Sequence, residues 1–322
     1  MKNTILITGG AGFIGFFVAK KLLDRGDKVI IVDNINDYYD PQLKLDRLAE
    51  LAKHPRATNL VVEKLDMSEY TEFEKVFKEN KINKVFNSAA QAGVRYSLEK
   101  PFSYQRTNLL GFLNVLELMR HYNIKDLVYA SSSSVYGANT KTPFSEEDKT
   151  DKPVSLYAAT KKSNELMAHA YHHLFDINAT GLRFFTVYGP WSRPDMAMLK
   201  FALKMAKGEQ INIYNEGKMK RDFTYIDDIV QGVVAAIDRA YPFEVFNLAY
   251  GQTVELLKYV EALEKSLGIK AKKNMMPMQP GDVIQTDADV TKAKKMLDFN
   301  PHTSVEKGVE EFAKWFKKYY KR

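Results

Sequence analysis

Two hydrophobic rhythms alternate along this chain. Short continuous apolar runs, rich in β-branched residues, read as strands: TILIT before Gly9, KVIIVD ending at Asp33, NLVVEK before Asp66, then KVFNSAA, DLVYASS and NATGLRF. Between them lie stretches with apolar residues three and four apart, the spacing of one helix face. These are FIGFFVAKKLLDR, which stops at Gly26, then YTEFEKVFKENK, a segment around Asn108–His121, and Tyr157–Phe175. Strands without polar alternation must be covered on both faces. The predicted fold is therefore α/β, a Rossmann-type doubly wound parallel sheet between helix layers.

After Gly189 the pattern changes. GPWSRPDM is a proline-bearing loop, and the shorter runs QINIYN, KRDFTYIDDIV and MMPMQPGDVIQTDADV follow. The expectation is a nucleotide-binding domain over residues 1–187, to which about 226–249 returns. A smaller α/β C-terminal substrate lobe takes about 188–225 and 250–322.

Composition narrows the classes. Of 322 residues, 45% are hydrophobic and 27% charged, as in an ordinary globular protein. No apolar run is long enough to span a bilayer, and the start, MKNTILITGG, passes into a glycine loop without a cleavage-site pattern. With no cysteine there is no disulfide and no thiolate nucleophile, which fits the cytoplasm. The net charge of +7 is spread over helix-like stretches and the tail WFKKYYKR, and basic and aromatic residues do not interleave as in a nucleic-acid groove. Neither a nucleic-acid nor a membrane partner is expected.

Candidate chemistry starts at TGGAGFIG. Gly9, Gly12 and Gly15 follow a strand and open a helix, with Phe13 and Ile14 at its first turn. Glycines let the backbone approach a pyrophosphate, and the helix start offers unpaired N–H groups and a positive dipole end. Asp33 at the tip of the second strand suits the two hydroxyls of an adenosine ribose. No arginine follows at once, since Asn34, Ile35 and Asn36 come next, so NAD is favoured over NADP. Asp66, with Met67, ends the third strand where a carboxylate can meet an adenine amino group or simply cap the strand. Ala89, Ala90 and Gln91 end the fourth strand and leave room for a flat cofactor, and Asn108 is placed with this set.

YAATK sets Tyr157 and Lys161 four apart on one helix face. To act as a base near neutrality, a tyrosine of ordinary pKa ~10 needs a shift of roughly 3 units. A neighbouring ammonium and a cationic nicotinamide can supply it. The four serines Ser131–Ser134 precede this pair at the end of a strand.

TGGAGFIG, the serine run before VYG, and YAATK together resemble the extended short-chain dehydrogenase/reductase family of nucleotide-sugar enzymes. DNINDYYD, AAQAGVRYSLEKP, VSLYAATKKSNELMAHAY, GLRFFTVYGPWSRPDMA, KMKRDFTYIDDI and MPMQPGDV narrow the resemblance to UDP-glucuronate 4-epimerases, with Asn87-Ser88 standing where His-Leu and Ser192 where glycine is usual. The resemblance implies Tyr157 as the base for the C4 hydroxyl and Ser132 as a hydrogen-bond partner of the same oxygen. It implies Lys161 as the group that tunes Tyr157 and holds the nicotinamide ribose. Ser133, Ser134 and Thr186 would receive the sugar carboxylate, Arg193 and Arg221 the diphosphate, Tyr214 the uracil and Asp282 its ribose. Arg95 either guides the substrate or caps a loop. Related dehydratases and decarboxylases carry an acidic residue where this chain has Ser133 or Ser134. Hydroxyls can donate to a uronate carboxylate without repelling it.

The resemblance thus implies an NAD-dependent isomerase that interconverts UDP-glucuronate and UDP-galacturonate through a 4-keto sugar, often as a homodimer. A UDP-glucose/UDP-galactose epimerase is the alternative within enzymes, although Thr186 stands where such enzymes usually show asparagine. A silent NAD-sensing binding protein is the alternative of another class. His169, His172 and His173 have metal-ligand spacing, but with no acidic third ligand in view no metal site is expected.

Overall fold

The structure is a computed structural model that describes residues 2–278 and 284–321. Its strands are β1 (Thr4–Thr8), β2 (Lys28–Asp33), β3 (Leu60–Lys64), β4 (Lys84–Asn87), β5 (Asp126–Ser132), β6 (Asn178–Phe184) and β7 (Thr186–Tyr188). They continue with β8 (Gln210–Tyr214), β9 (Lys220–Tyr225), β10 (Phe243–Leu248), β11 (Thr253–Glu255), β12 (Lys272–Met276) and β13 (Gln285–Thr286). Two compact units share them. The first comprises Met1–Gly137, Lys149–Arg183 and Val230–Phe246, the second Ala138–Asp148, Phe184–Ile229 and Asn247–Arg322.

The first unit is built on a seven-stranded sheet in the order β10-β6-β5-β4-β1-β2-β3. From β3 to β5 every neighbouring pair is parallel. Ile5, Leu6, Ile7, Val29, Ile30 and Ile31 are fully buried, so adjacent residues, which point to opposite faces, are covered alike. The chain reverses its winding between β1 and β4, the switch point at which such sheets open a crevice. There the backbones nearly touch: a Cβ added to Gly9 would lie 2.7 Å from Ala89 Cα. A helix over Phe13–Arg25 leaves β1 and ends on Gly26 at φ +93°, as its glycine foretold.

The helix that carries Tyr157 and Lys161 runs over Leu156–Phe175. Ser155 caps its start, accepting from the Ala158 N–H at 3.1 Å. The segment around Asn108 departs from a plain helix. Gln105–Gly111 winds as a π-helix before the α-helix Phe112–His121. The wider turn presents the Asn108 carbonyl to a side chain, and Asn164 Nδ2 donates to it at 2.7 Å.

One buried ion pair ties the Leu156–Phe175 helix to the sheet. Arg183 on β6 and Glu165 on the helix are both about 4% exposed. Arg183 donates from Nε and Nη2 to the two carboxylate oxygens at 2.9 and 3.0 Å. Its Nη1 donates to the Tyr136 hydroxyl at 3.0 Å, and Ser131 Oγ donates to Glu165 at 2.7 Å. Burial pushes the Glu165 carboxyl up, but Arg183, Lys162 and Ser131 outweigh it and hold it below the usual range. The end of β5, the turn after it, β6 and the helix therefore meet at one ion pair.

In the second unit β9 is central, flanked by antiparallel β11 and parallel β13 and β7. Parallel β12 and β8 form a separate two-stranded sheet. Ala138–Asp148 goes with this unit because fully buried Asn247 donates to the carbonyls of Phe144 and Asp289 at 2.9 and 3.0 Å.

Arg183→Met leaves a buried carboxylate facing an apolar chain. This should cost about 3–5 kcal/mol, read as a lower urea midpoint, and adding Glu165→Met should recover most of it. Equal stabilities of the single and double variants would show that the pair is not coupled.

Candidate active site

The glycine loop has no room for side chains. A Cβ on Gly15 would collide with the Gly9 carbonyl and lie 2.9 Å from Gly10 Cα, and Gly9 itself sits at φ +70°. No side chain caps the first turn of the helix that starts at Phe13. Its N–H groups and dipole thus face whatever occupies the loop, which suits a diphosphate. Asp33 is 9% exposed. It accepts from the Ala11 N–H at 3.1 Å and the Ile35 N–H at 2.9 Å. Ile35 is left-handed at φ +51°, an unusual state for a β-branched residue.

Sequence reasoning missed two cations here. Arg47, fully buried, donates to the Ala11 carbonyl at 2.9 Å and to the Tyr39 hydroxyl at 2.8 Å. Lys44 Nζ donates to the Asn36 carbonyl and side chain at 2.9 and 2.6 Å. No arginine follows Asp33 directly, yet the helix Gln42–Ala52 brings these two back to the same loop. Their spacing of three in LKLDRL was the available signal.

Asp66 accepts from Ser68 N at 2.9 Å, Ser68 Oγ at 2.7 Å and Asn34 Nδ2 at 3.3 Å. Burial raises its carboxyl, but these bonds and Arg106 overcome that and hold it below the usual range. Met67 is buried with its side chain against Gly111. Ala89 and Ala90 are half-buried, and the Ala89 N–H donates to Thr8 Oγ1 at 3.3 Å. Asn108 spends its amide on the protein: Oδ1 accepts from Gln91 N at 2.7 Å, while Nδ2 donates to the Gln91 carbonyl at 3.1 Å and Thr160 Oγ1 at 3.0 Å. It positions Gln91, and Asn87 at the end of β4 is buried and accepts from Thr8 Oγ1 at 2.7 Å.

Ser132 closes β5, and Ser133–Tyr136 form a 3-10 turn. Ser132 Oγ accepts from Ser134 N at 3.2 Å, which leaves its own proton to donate. Ser134 Oγ is buried with no hydrogen-bond partner among the described residues. Lys161 is 2% exposed and donates to the Ala130 carbonyl, two residues before Ser132, at 2.9 Å. Burial lowers its pKa to about 8. Tyr157 is half-buried, and Tyr104 meets its ring edge-on with centroids 6.1 Å apart. Arg95 is exposed at the start of a short helical turn, Tyr96–Glu99.

Thr186 and Arg221 lie on β7 and β9 of the second unit, and Tyr214 ends β8. Arg221 Nη1 donates to the carbonyls of Lys220 and Ile284 at 2.9 and 3.1 Å. Arg193 forks onto Asp195, at 3.1 Å from Nε and 3.0 Å from Nη2. Two positions earlier Trp191 is left-handed at φ +59°, which costs a side chain of its kind about 1–2 kcal/mol. Ser192 is buried, and its φ is not positive, so a serine there meets no backbone strain. Asp282 lies outside the described residues. His169 and His172 pack on the Phe243 ring at 4.9 and 5.9 Å.

With this geometry in hand, the chain matches the family described as GDP-mannose 4,6 dehydratase over residues 6–312. It is 49% identical to protein CapI of Staphylococcus aureus, covering 99% of both chains. It is 46% identical to UDP-glucuronate 4-epimerase 4 of Arabidopsis thaliana, covering 98% of this chain and 76% of that one. The crystal structure of UDP-glucuronic acid 4-epimerase from Bacillus cereus, in complex with UDP-glucuronic acid and NAD, superposes with a TM-score of 0.91 at 34% identity, covering 98% of this chain and 100% of that one.

The buried lysine has a pH signature. Unfolded, its amine titrates near ~10.4. Between pH 8 and that value the unfolded state binds more protons than the folded state, so stability rises with pH across the window, and the burial penalty is full below it. Lys161→Met should gain up to about 3 kcal/mol over the wild type at neutral pH, and the gap should close as pH approaches ~10.4. Urea midpoints across this range check it; a constant gap would mean that Lys161 does not titrate there.

Proposed function

Since the chain belongs to the GDP-mannose 4,6 dehydratase family, among the extended short-chain dehydrogenase/reductases, we propose that it interconverts UDP-glucuronate and UDP-galacturonate by NAD-dependent epimerisation at C4. One observation carries the choice within that family. The strand end beside Tyr157 and Lys161 bears four serines and no carboxylate. A 4-keto sugar formed there has no acidic or basic side chain at Ser133 or Ser134 to protonate or deprotonate a neighbouring carbon, which dehydration needs. Reduction back to the alcohol remains, on either face.

Gly9, Gly12 and Gly15 would hold the dinucleotide diphosphate with the N–H groups of Phe13 and Ile14, Asp33 and Asn34 the adenosine ribose, and Asp66 and Met67 the adenine. Ala89, Ala90 and Gln91 would leave space for the nicotinamide half. Bound there, NAD supplies reversible hydride chemistry at the sugar C4. Tyr157 takes the C4 hydroxyl proton and returns it after the sugar has turned over. Ser132 donates to the same oxygen, and the Lys161 ammonium favours the phenolate by its charge. The partnerless Ser134 hydroxyl, with Ser133 and Thr186, suits a uronate carboxylate. Arg193 and Arg221 would neutralise the diphosphate, with Tyr214 at the uracil.

The reading also holds the chain to be a cytoplasmic homodimer with no nucleic-acid partner. No helix among the described residues is long and apolar enough to cross a membrane. Leu98 and Phe102 are 79% and 82% exposed, and Leu166 and Leu174 on the Tyr157 helix are 61% and 64% exposed. Such side chains gathered on one unit favour a covering partner, here a second copy. Leu166→Asp with Phe102→Asp should convert a dimer to a monomer in sedimentation; a wild type that already sediments as a monomer refutes this.

The decisive experiment incubates purified protein with UDP-glucuronate, with and without added NAD, and resolves the products by NMR. UDP-galacturonate is expected, and Tyr157→Phe should slow its formation about 10²–10⁴-fold. UDP-glucose in a parallel tube distinguishes the neutral-sugar epimerase. No turnover of either sugar, with NAD bound, would favour the silent sensor.

A further inference from the structure

The chain has two tryptophans, and they touch. Trp191 stands in the GPWSR loop with ring centroid 5.4 Å from Trp315 and 5.0 Å from Tyr319. Trp315 and Tyr319 stack on each other at 5.3 Å and 18°. Both belong to the C-terminal helix Val305–Tyr319, anchored by Phe312 and Phe316, which are at most 1% exposed. Trp315 Nε1 is buried with no hydrogen-bond partner among the described residues, where ring packing holds the indole.

The same helix also grips the loop at its other end. The Tyr188 hydroxyl donates to the Ser304 carbonyl at 3.2 Å. A side chain at Gly308 would collide with that hydroxyl. Ser304, Gly308, Phe312, Trp315 and Tyr319 recur every three or four residues, the period of one helix face. Between the two grips the loop takes two unusual turns, Gly189 at φ +147° and Trp191 at φ +59°. A bulky residue stays left-handed only when its surroundings hold it there. Two residues on, Arg193 is oriented by Asp195.

We propose that the C-terminal helix is a positioning element for the substrate loop: Trp315 and Tyr319 hold Trp191 in its left-handed turn and thereby set Arg193 for a nucleoside diphosphate. Its aromatic stripe thus serves recognition as well as packing. The inference rests on the role given to Arg193 above. No residue of this helix is assigned a part in the proposed chemistry, so its loss should weaken ground-state and transition-state binding alike, leaving the chemical step intact.

The test has three arms. In the wild type, UDP alone should change tryptophan emission saturably, with excitation where tyrosine is silent. In Trp315→Leu and Tyr319→Leu, KM for UDP-glucuronate should rise roughly 10-fold with kcat within about threefold, and Trp315→Phe should restore most of the affinity. Arg193→Ala should raise KM at least as much. If Arg193→Ala raises KM and the leucine variants, folded by their melting curves, do not, the helix inference fails and the role of Arg193 stands. If Arg193→Ala leaves KM unchanged, both fail. Should the leucine variants not fold, the wild-type titration decides: emission indifferent to saturating UDP overturns the proposal.

Discussion

The active geometry of the first unit depends on a carboxylate that has no direct part in the chemistry. Glu165 sits one helical turn beyond Lys161 and faces Arg183 across the end of the sheet. An ion pair this deeply buried contributes little net stability compared with a good apolar contact, because both charges lose their water. What it supplies is direction. The guanidinium can satisfy Glu165 and Tyr136 together in only one arrangement of β6, the helix and the serine turn, and Ser131 adds β5 to it. Lys161 repeats the lock from the same helix by reaching the Ala130 carbonyl. Ser132 is therefore preceded by two residues, Ala130 and Ser131, whose own partners lie on the helix that bears Tyr157.

The nucleotide end works by close approach. Gly9, Gly12 and Gly15 matter because backbone stands where side chains would be. Around them charge is arranged in alternation: the Asp33 carboxylate takes backbone N–H groups, and the Arg47 guanidinium takes the Ala11 carbonyl between them. Loop and carboxylate are thus held to each other by the chain's own hydrogen bonds.

Much of this was legible in the sequence, for physical reasons. Strands buried on both faces must be continuously apolar, and helices must repeat at three and four, so β1 to β6 and the Tyr157 helix showed in the pattern. Gly26 marked a helix end because few other residues accept its backbone angle. What stayed hidden was long-range pairing. Nothing local says that Glu165, besides the nearby Lys162, also meets Arg183 on a distant strand, or that Lys44 and Arg47 fold back to Asn36 and Ala11. Among the candidate site residues, the serines, Tyr157 and Lys161 stand out in the sequence because their order and spacing are themselves the signal. The fork of Arg193 on Asp195 and the left-handed Trp191 have no such spacing.

The π-helical turn at Gln105–Gly111 separates what the fold needs from what the site needs. A π-turn holds one residue more than the α-turn it replaces, and the helical faces before and after it keep their register. A chain one residue shorter there could run straight through, with Tyr104 and Phe112 still buried and its ladder of bonds unbroken. It would lose the carbonyl that Asn164 takes and the amide that spans Gln91 and Thr160. The extra residue is thus a surplus by the standards of folding alone, kept in a helix that would be more regular without it.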